Sequence, residues 1–136
     1  LKIVLDTNVL VSALLKPNSI PGRILDLVLA RQVALVLDHR IFAEYRDVLY
    51  RPEFELPREA VAHLLDFLWY SSERAQGGEF VVQLPDPEDR MFIEVALSSL
   101  ADALVTGNIK HFPTSQCHGV CVLTPRQFLD LWIRQE

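Results

Sequence analysis

The chain predicts an α/β fold: a three-layer sandwich with a central, mostly parallel sheet of about five strands flanked by helices. Three observations carry this expectation. Short apolar runs alternate with segments of helical periodicity, the signature of strands joined through helices. The run Val33-Ala-Leu-Val-Leu37 is almost continuously apolar, as when both faces of a sheet are covered. The first run, Lys2-Ile-Val-Leu5, ends directly in an acid, Asp6, and parallel sheets hold their ligands beyond the carboxyl ends of their strands.

Taken in order, residues 2–5 read as the first strand, and residues 7–16 and 22–31 as helices. Pro17 and Pro21 separate the helices, Pro21 near a first helical position. After the 33–37 strand, Asp38 is the expected N-cap of a helix that runs to about residue 50 and is stopped by Pro52. Residues 58–74 read as a longer helix with Val61, Leu64, Leu65, Leu68 and Trp69 at helical spacing, ended by Gln76-Gly-Gly78. Glu79–Gln83 reads as a strand. Asp86 and Pro87 then open a helix, as N-cap and first residue. Residues 103–106 and 120–123 read as the last two strands, and Thr124-Pro-Arg-Gln127 as a capping box opening the final helix.

Residues 1–136 are expected to form one domain, long enough to bury a core without disulfides or a structural metal. No apolar run approaches the roughly 20 residues of a membrane span, so no membrane association is expected. The only cysteines are Cys117 and Cys121, which fits a reducing cytoplasm. Cys121 is expected in a buried strand. A zinc site from His111, Cys117, His118 and Cys121 has a spacing unlike the common zinc patterns. The net charge of −5 argues against bulk electrostatic binding of nucleic acid. It argues less against a nuclease, whose clustered acids are offset by a bound cation. Ten of the thirteen basic residues are Arg, which suits bidentate contacts to phosphate, although surface charge explains most of them individually.

The predicted topology brings Asp6, the segment with Asp86 and Asp89, and the segment with Thr106 and Asn108 to one end of the sheet. Each has a structural alternative. Asp6 can cap the first helix. Glu44 lies on the apolar stripe of Ile41, Tyr45, Val48 and Leu49, where a charge is costly unless paired or metal-bound; the alternative is an ion pair with Arg40. Asp89 is stabilised by a helix N-terminus in any case, and Asp86 is the better cap. Thr106 and Asn108 are neutral oxygen donors or simply turn residues around Gly107. Asp102 precedes its strand and belongs at the opposite end. His111 can approach the site from its loop. Two to four hard oxygen ligands at one point suit Mg²⁺ or Mn²⁺. Such a cation, single or paired, activates water and neutralises charge on phosphoryl oxygens. Metal-assisted phosphodiester hydrolysis follows. A receiver domain would need paired acids at the first strand and a Lys after the last, and a phosphatase an Asp in place of Asn8; neither pattern is present.

Ile3-Val-Leu-Asp6-Thr-Asn-Val-Leu, Glu44-Tyr-Arg-Asp-Val-Leu-Tyr-Arg51-Pro, Pro85-Asp-Pro-Glu-Asp89 and Ala101-Asp-Ala-Leu-Val-Thr-Gly-Asn108 resemble, in that order, the motifs of the PIN domain. The resemblance spans essentially the whole chain and is closest to the toxins of type II toxin–antitoxin systems. It implies a Mg²⁺- or Mn²⁺-dependent ribonuclease whose metal is held by Asp6, Glu44 and Asp89. Asn108 stands where the family often has Asp, and contributes its carbonyl at most. The acid before the penultimate strand matches Asp102. Homodimerisation and a small antitoxin partner are implied too, with Phe54, Leu56, Phe67 and Trp69 as interface residues or as ordinary core. The rival reading is a catalytically silent PIN domain that binds protein or RNA, supported by the missing fourth acid.

Overall fold

The computed structural model describes residues 1–76 and 80–135. Its core is a five-stranded sheet of order β3-β2-β1-β4-β5 in which every pairing is parallel. The strands are β1 (Lys2–Leu5), β2 (Ala34–Leu37), β3 (Glu73–Arg74), β4 (Ala103–Val105) and β5 (Val122–Leu123). The helices are α1 (Thr7–Leu15), α2 (Ile20–Leu29), α3 (His39–Leu49), α4 (Arg58–Ser71), α5 (Arg90–Ser99) and α6 (Pro125–Gln135).

β1 is central because its residues are apolar on both sides. Ile3, Val4 and Leu5 are all essentially inaccessible, and successive strand residues point to opposite faces, so both faces of the sheet are covered. α5 lies against β1, β2 and β4, and α6 against β4 and β5, while α2 packs on α1 and α6 and α3 on α4 and α5. The register sets Ile3 beside Leu35 on one flank and beside Ala103 on the other, and ends with Leu5 beside Val105. All three of these strands therefore end at one edge, where Asp6, Asp38 and Thr106 follow.

Local chemistry explains most element ends. Ser19 caps α2, its hydroxyl accepting from Gly22 N at 3.3 Å, with Pro21 in the first turn. Gly22 is required there, because a Cβ would come within 2.1 Å of the Pro17 carbonyl oxygen. Asp38 caps α3 by accepting from Ile41 N at 3.0 Å. Thr124 and Gln127 form a reciprocal capping box at α6, with bonds of 2.9 and 3.1 Å.

Three expectations are corrected. The third strand is Glu73–Arg74, not 79–83; residues 80–83 carry no regular structure and Glu79 lies outside the described residues. Val81 is 80% exposed, so that apolar run does not fill a sheet position. Consequently α4 ends at Ser71 rather than residue 74, and Gly77 and Gly78 also lie outside the described residues. β5 is only two residues long and half-buried, which leaves Cys121 exposed rather than within a buried strand.

Candidate metal and nuclease site

At the carboxyl edge of the sheet a cleft of about 460 Å³ is lined by Asp6, Glu44, Asp86, Asp89, Asn108 and His111, with Thr7, Asn8 and Arg51 on its walls. Each acid reaches it for a local reason. Asp6 is the first residue past β1. Its backbone N–H continues the ladder by donating to Val105 O at 2.9 Å, and its side chain makes no well-formed capping bond to α1. One carboxylate oxygen instead accepts from the buried Thr106 hydroxyl at 2.7 Å. Thr106 is thus the main donor to Asp6, with the backbone N–H groups of Thr7 and Asn8 adding to it.

Glu44 is half-buried on α3 and accepts a short hydrogen bond from the Thr7 hydroxyl. The Arg40 pairing considered for it is absent. Arg40 instead reaches Asp38 at 2.9 Å and Glu94 at 2.7 Å. The buried Tyr45 hydroxyl donates to Leu5 O at 2.5 Å, tying α3 to the end of β1 one residue from Glu44 and one from Asp6. Asp86 is exposed and committed to capping, accepting from Glu88 N at 3.0 Å. Asp89 ends a short 3-10 turn, Pro87–Asp89, ahead of α5. Asn108 is exposed at the rim, its N–H donating to Thr106 Oγ1 at 3.0 Å. Asp102 lies at the other end of the sheet, where it accepts from Lys2 N at 2.8 Å. Its candidacy as a ligand is therefore withdrawn. The zinc grouping does not assemble either. The Cys117 thiol is buried and donates to Phe112 and Pro113 carbonyls, and the His118 ring bonds Val81 O.

The cleft is electrostatically unsatisfied. Burial pushes the Asp6 carboxyl above its ordinary value, partly offset by the Thr106 hydroxyl and by His111. Asp89 is pushed up to about 6, by burial first and then by the negative charges of Asp6 and Asp86. His111 Nδ1 stands 3.3 Å from Asp89 Oδ2, but the alignment is poor and that buried oxygen makes no well-formed hydrogen bond. Tyr45 is pushed well above its usual value by burial and by the charges of Asp6 and Glu44, so it stays a neutral donor. Among the described residues no three His, Cys, Asp or Glu side chains close into a ready-made metal cage. The donor set nevertheless fits a small hard cation: repelling carboxylates, an orphaned carboxylate oxygen and neutral oxygens at the rim. Mg²⁺ in particular keeps several waters and takes only one or two protein carboxylates.

A parallel α/β sandwich with an acidic cleft at the carboxyl ends of its central strands defines a class whose sites hold ligands at that edge. The chain belongs to the PIN domain family: the family model for the PIN domain matches residues 2–110, a span that includes every lining residue of the cleft except His111. It is 29% identical over 143 residues to the uncharacterized protein MJ1680 of Methanocaldococcus jannaschii, covering 96% of this chain and 90% of that one. It is similar in fold to a chain in the crystal structure of VapBC2 from Rickettsia felis bound to a DNA fragment from their promoter. That match has a TM-score of 0.59 and 17% identity, over 91% of this chain and 98% of that chain.

Thr7 and Tyr45 are the site residues that sequence reasoning underused. In sequence Thr7 reads equally well as a cap or as a ligand, and Tyr45 only as part of an apolar stripe. A buried Tyr in a helix must place its hydroxyl somewhere, and that was the available signal.

Proposed function

We propose that this chain is a ribonuclease that hydrolyses RNA phosphodiester bonds with Mg²⁺ or Mn²⁺, and that it is the cytoplasmic toxin of a type II toxin–antitoxin pair. The observation that carries the reading is the orphaned oxygen of Asp89 set among the repelling charges of Asp6 and Asp86 in one cleft. Asp6, Glu44 and Asp89 would hold the cation, with Asn108 as a neutral donor at the rim; it supplies charge neutralisation at phosphorus and a more acidic water. Thr106 fixes the Asp6 carboxylate and Thr7 that of Glu44, so both face the substrate already oriented. His111, 3.3 Å from Asp89, adds a cationic or neutral nitrogen at the edge of the cleft. The antitoxin rests on the resemblance to the toxin branch, supported by a fold neighbour that is a VapBC2 complex; a homodimeric state rests on the resemblance alone. Phe54, Leu56, Phe67 and Trp69 are half-buried against the core, so only their outer edges are available to such a partner.

A second reading is a binding module without catalysis. Asn108 in place of an acid and the lack, among the described residues, of a closed three-ligand group favour it. Cleavage of labelled RNA with Mn²⁺, Mg²⁺ or EDTA, beside Asp6→Asn, separates the two. Metal-dependent cutting that disappears in the variant supports the nuclease. Equal cutting by both proteins, or none from folded parent while calorimetry detects no cation binding, sinks it.

A further inference from the structure

Outside the acid cleft, one face of α3 bears a run of groups that the cleft does not use. His39, Ala43, Arg46 and Tyr50 recur at steps of four, three and four, which places them on a single helical stripe. The stripe spans eleven residues of rise, about 16 Å. At its near end Arg51 lines both the acid cleft and a hollow formed with Tyr50, Arg46 and Ala43. Arg46 and Ala43 in turn line a second hollow of about 330 Å³, walled by His39, Phe42, Trp69 and Tyr70. The surface is therefore continuous from the carboxylates to an aromatic pocket.

Its chemistry is that of a single-stranded nucleic acid track. The Arg58 guanidinium lies over the Tyr50 ring at 4.6 Å and that of Arg74 over Trp69 at 3.5 Å. His39 and Phe42 hold Trp69 at centroid distances of 5.1 and 4.8 Å, so the indole is fixed, whereas the neighbouring Tyr70 ring is 82% exposed. Arg46, Arg51, Arg58 and Arg74 face two acids along this path, Asp47, which holds Arg51 at 3.1 Å, and Asp66 in the aromatic hollow. On a chain of net charge −5 this is a local excess of cation. Arg58 and Arg74 already cover faces of Tyr50 and Trp69, so the exposed Tyr70 ring is the face open to a base, with Arg46 and Arg51 beside it for phosphates.

The geometry points to this face of α3 as the channel for the single-stranded RNA leading to the cleft, Arg46 and Arg51 taking backbone phosphates and Tyr70 beside Trp69 stacking an unpaired base. The inference deepens the ribonuclease reading and rests on it for the identity of the strand. The test uses Asp6→Asn protein in Mg²⁺, a short fluorescein-labelled oligouridylate, and Trp69 emission, with Trp69→Phe to separate it from Trp132. The oligonucleotide is expected to quench Trp69. Tyr70→Ala is expected to weaken binding about fivefold or more. Arg46→Ala is expected to lower the slope of log affinity against log salt by about 0.7, one phosphate contact. Both substitutions are at exposed positions and, made with Asp6 intact, leave the Mn²⁺-induced rise in melting temperature unchanged. Unchanged affinity and salt slope in both variants overturns the channel. Quenching of Trp69 by an acidic peptide but not by the oligonucleotide overturns it in favour of a protein partner. Failure of the parent to cut RNA with any metal removes the ribonuclease reading, while the binding measurement still decides the channel.

Discussion

Replacing Asp89 by Asn is expected to stabilise the metal-free protein while abolishing the metal-dependent cleavage proposed for it. In the folded state burial and the charges of Asp6 and Asp86 raise this carboxyl from 3.8 to about 6. The side chain is only 16% exposed, so solvent screening leaves most of the effect intact. Between about pH 4 and pH 6 the folded state keeps a proton that the unfolded chain has lost. Stability therefore falls as pH rises through that window and remains reduced above it. The penalty at neutral pH is about 3 kcal/mol, at ~1.4 kcal/mol for each tenfold change in proton affinity. Asn carries no such charge and gives up only the 3.3 Å contact of the carboxylate with His111. A chain of this size gains roughly 3 to 5 °C in melting temperature per kcal/mol. Thermal melts in EDTA at pH 7.5 should therefore place Asp89→Asn well above the parent, with the gap closing as pH is lowered toward 4. A variant that melts at or below the parent at pH 7.5, or a gap that does not depend on pH, refutes the reasoning.

Other outcomes follow from the same geometry. Mn²⁺ should raise the parental melting temperature, by about 2.7 kcal/mol of stabilisation at a hundredfold excess over its dissociation constant, and should leave Asp6→Asn unmoved; a differential scan with and without the ion checks this. Thr106→Val strips Asp6 of its buried donor and Asn108 N–H of its acceptor; urea unfolding should register a loss of about 1 to 3 kcal/mol. Asp102→Asn alters only the Lys2 contact at the far end of the sheet, so RNA cleavage should proceed at the parental rate. Gly22→Ala forces a methyl group onto the Pro17 carbonyl and should lower stability by about 1 to 3 kcal/mol in denaturant melts.

How far the sequence could be read depended on how much each element relies on its own residues. β1, β2 and β4 were legible because their apolar runs are buried on both faces, and helix starts because Asp38, Pro21 and Thr124 act through local bonds. β3 was not legible. Both its residues are exposed, and it exists only because the backbone of Glu73 and Arg74 pairs with Val36 and Leu37. The apolar Phe80-Val-Val82 run imitated a strand without a partner. In the cleft, the positions of Asp6 and Asp89 followed from topology. The partner of Glu44 did not, because Thr7 meets it across 37 residues of sequence, and nothing in either segment announces the other. The far-end position of Asp102 could be derived from strand direction alone.

The central place of β1 has a consequence for the order of events during synthesis. The hydroxyl that orients Asp6 belongs to Thr106, made one hundred residues later, and its ladder partner Val105 is nearly as distant. At about 5 to 20 residues per second, several seconds separate the two on the ribosome. Until β4 has emerged and inserted beside β1, the carboxylates have no common edge to gather at. A nascent or prematurely terminated chain lacking that strand therefore cannot present the assembled cleft, which exists only once the segment through β4 has been made.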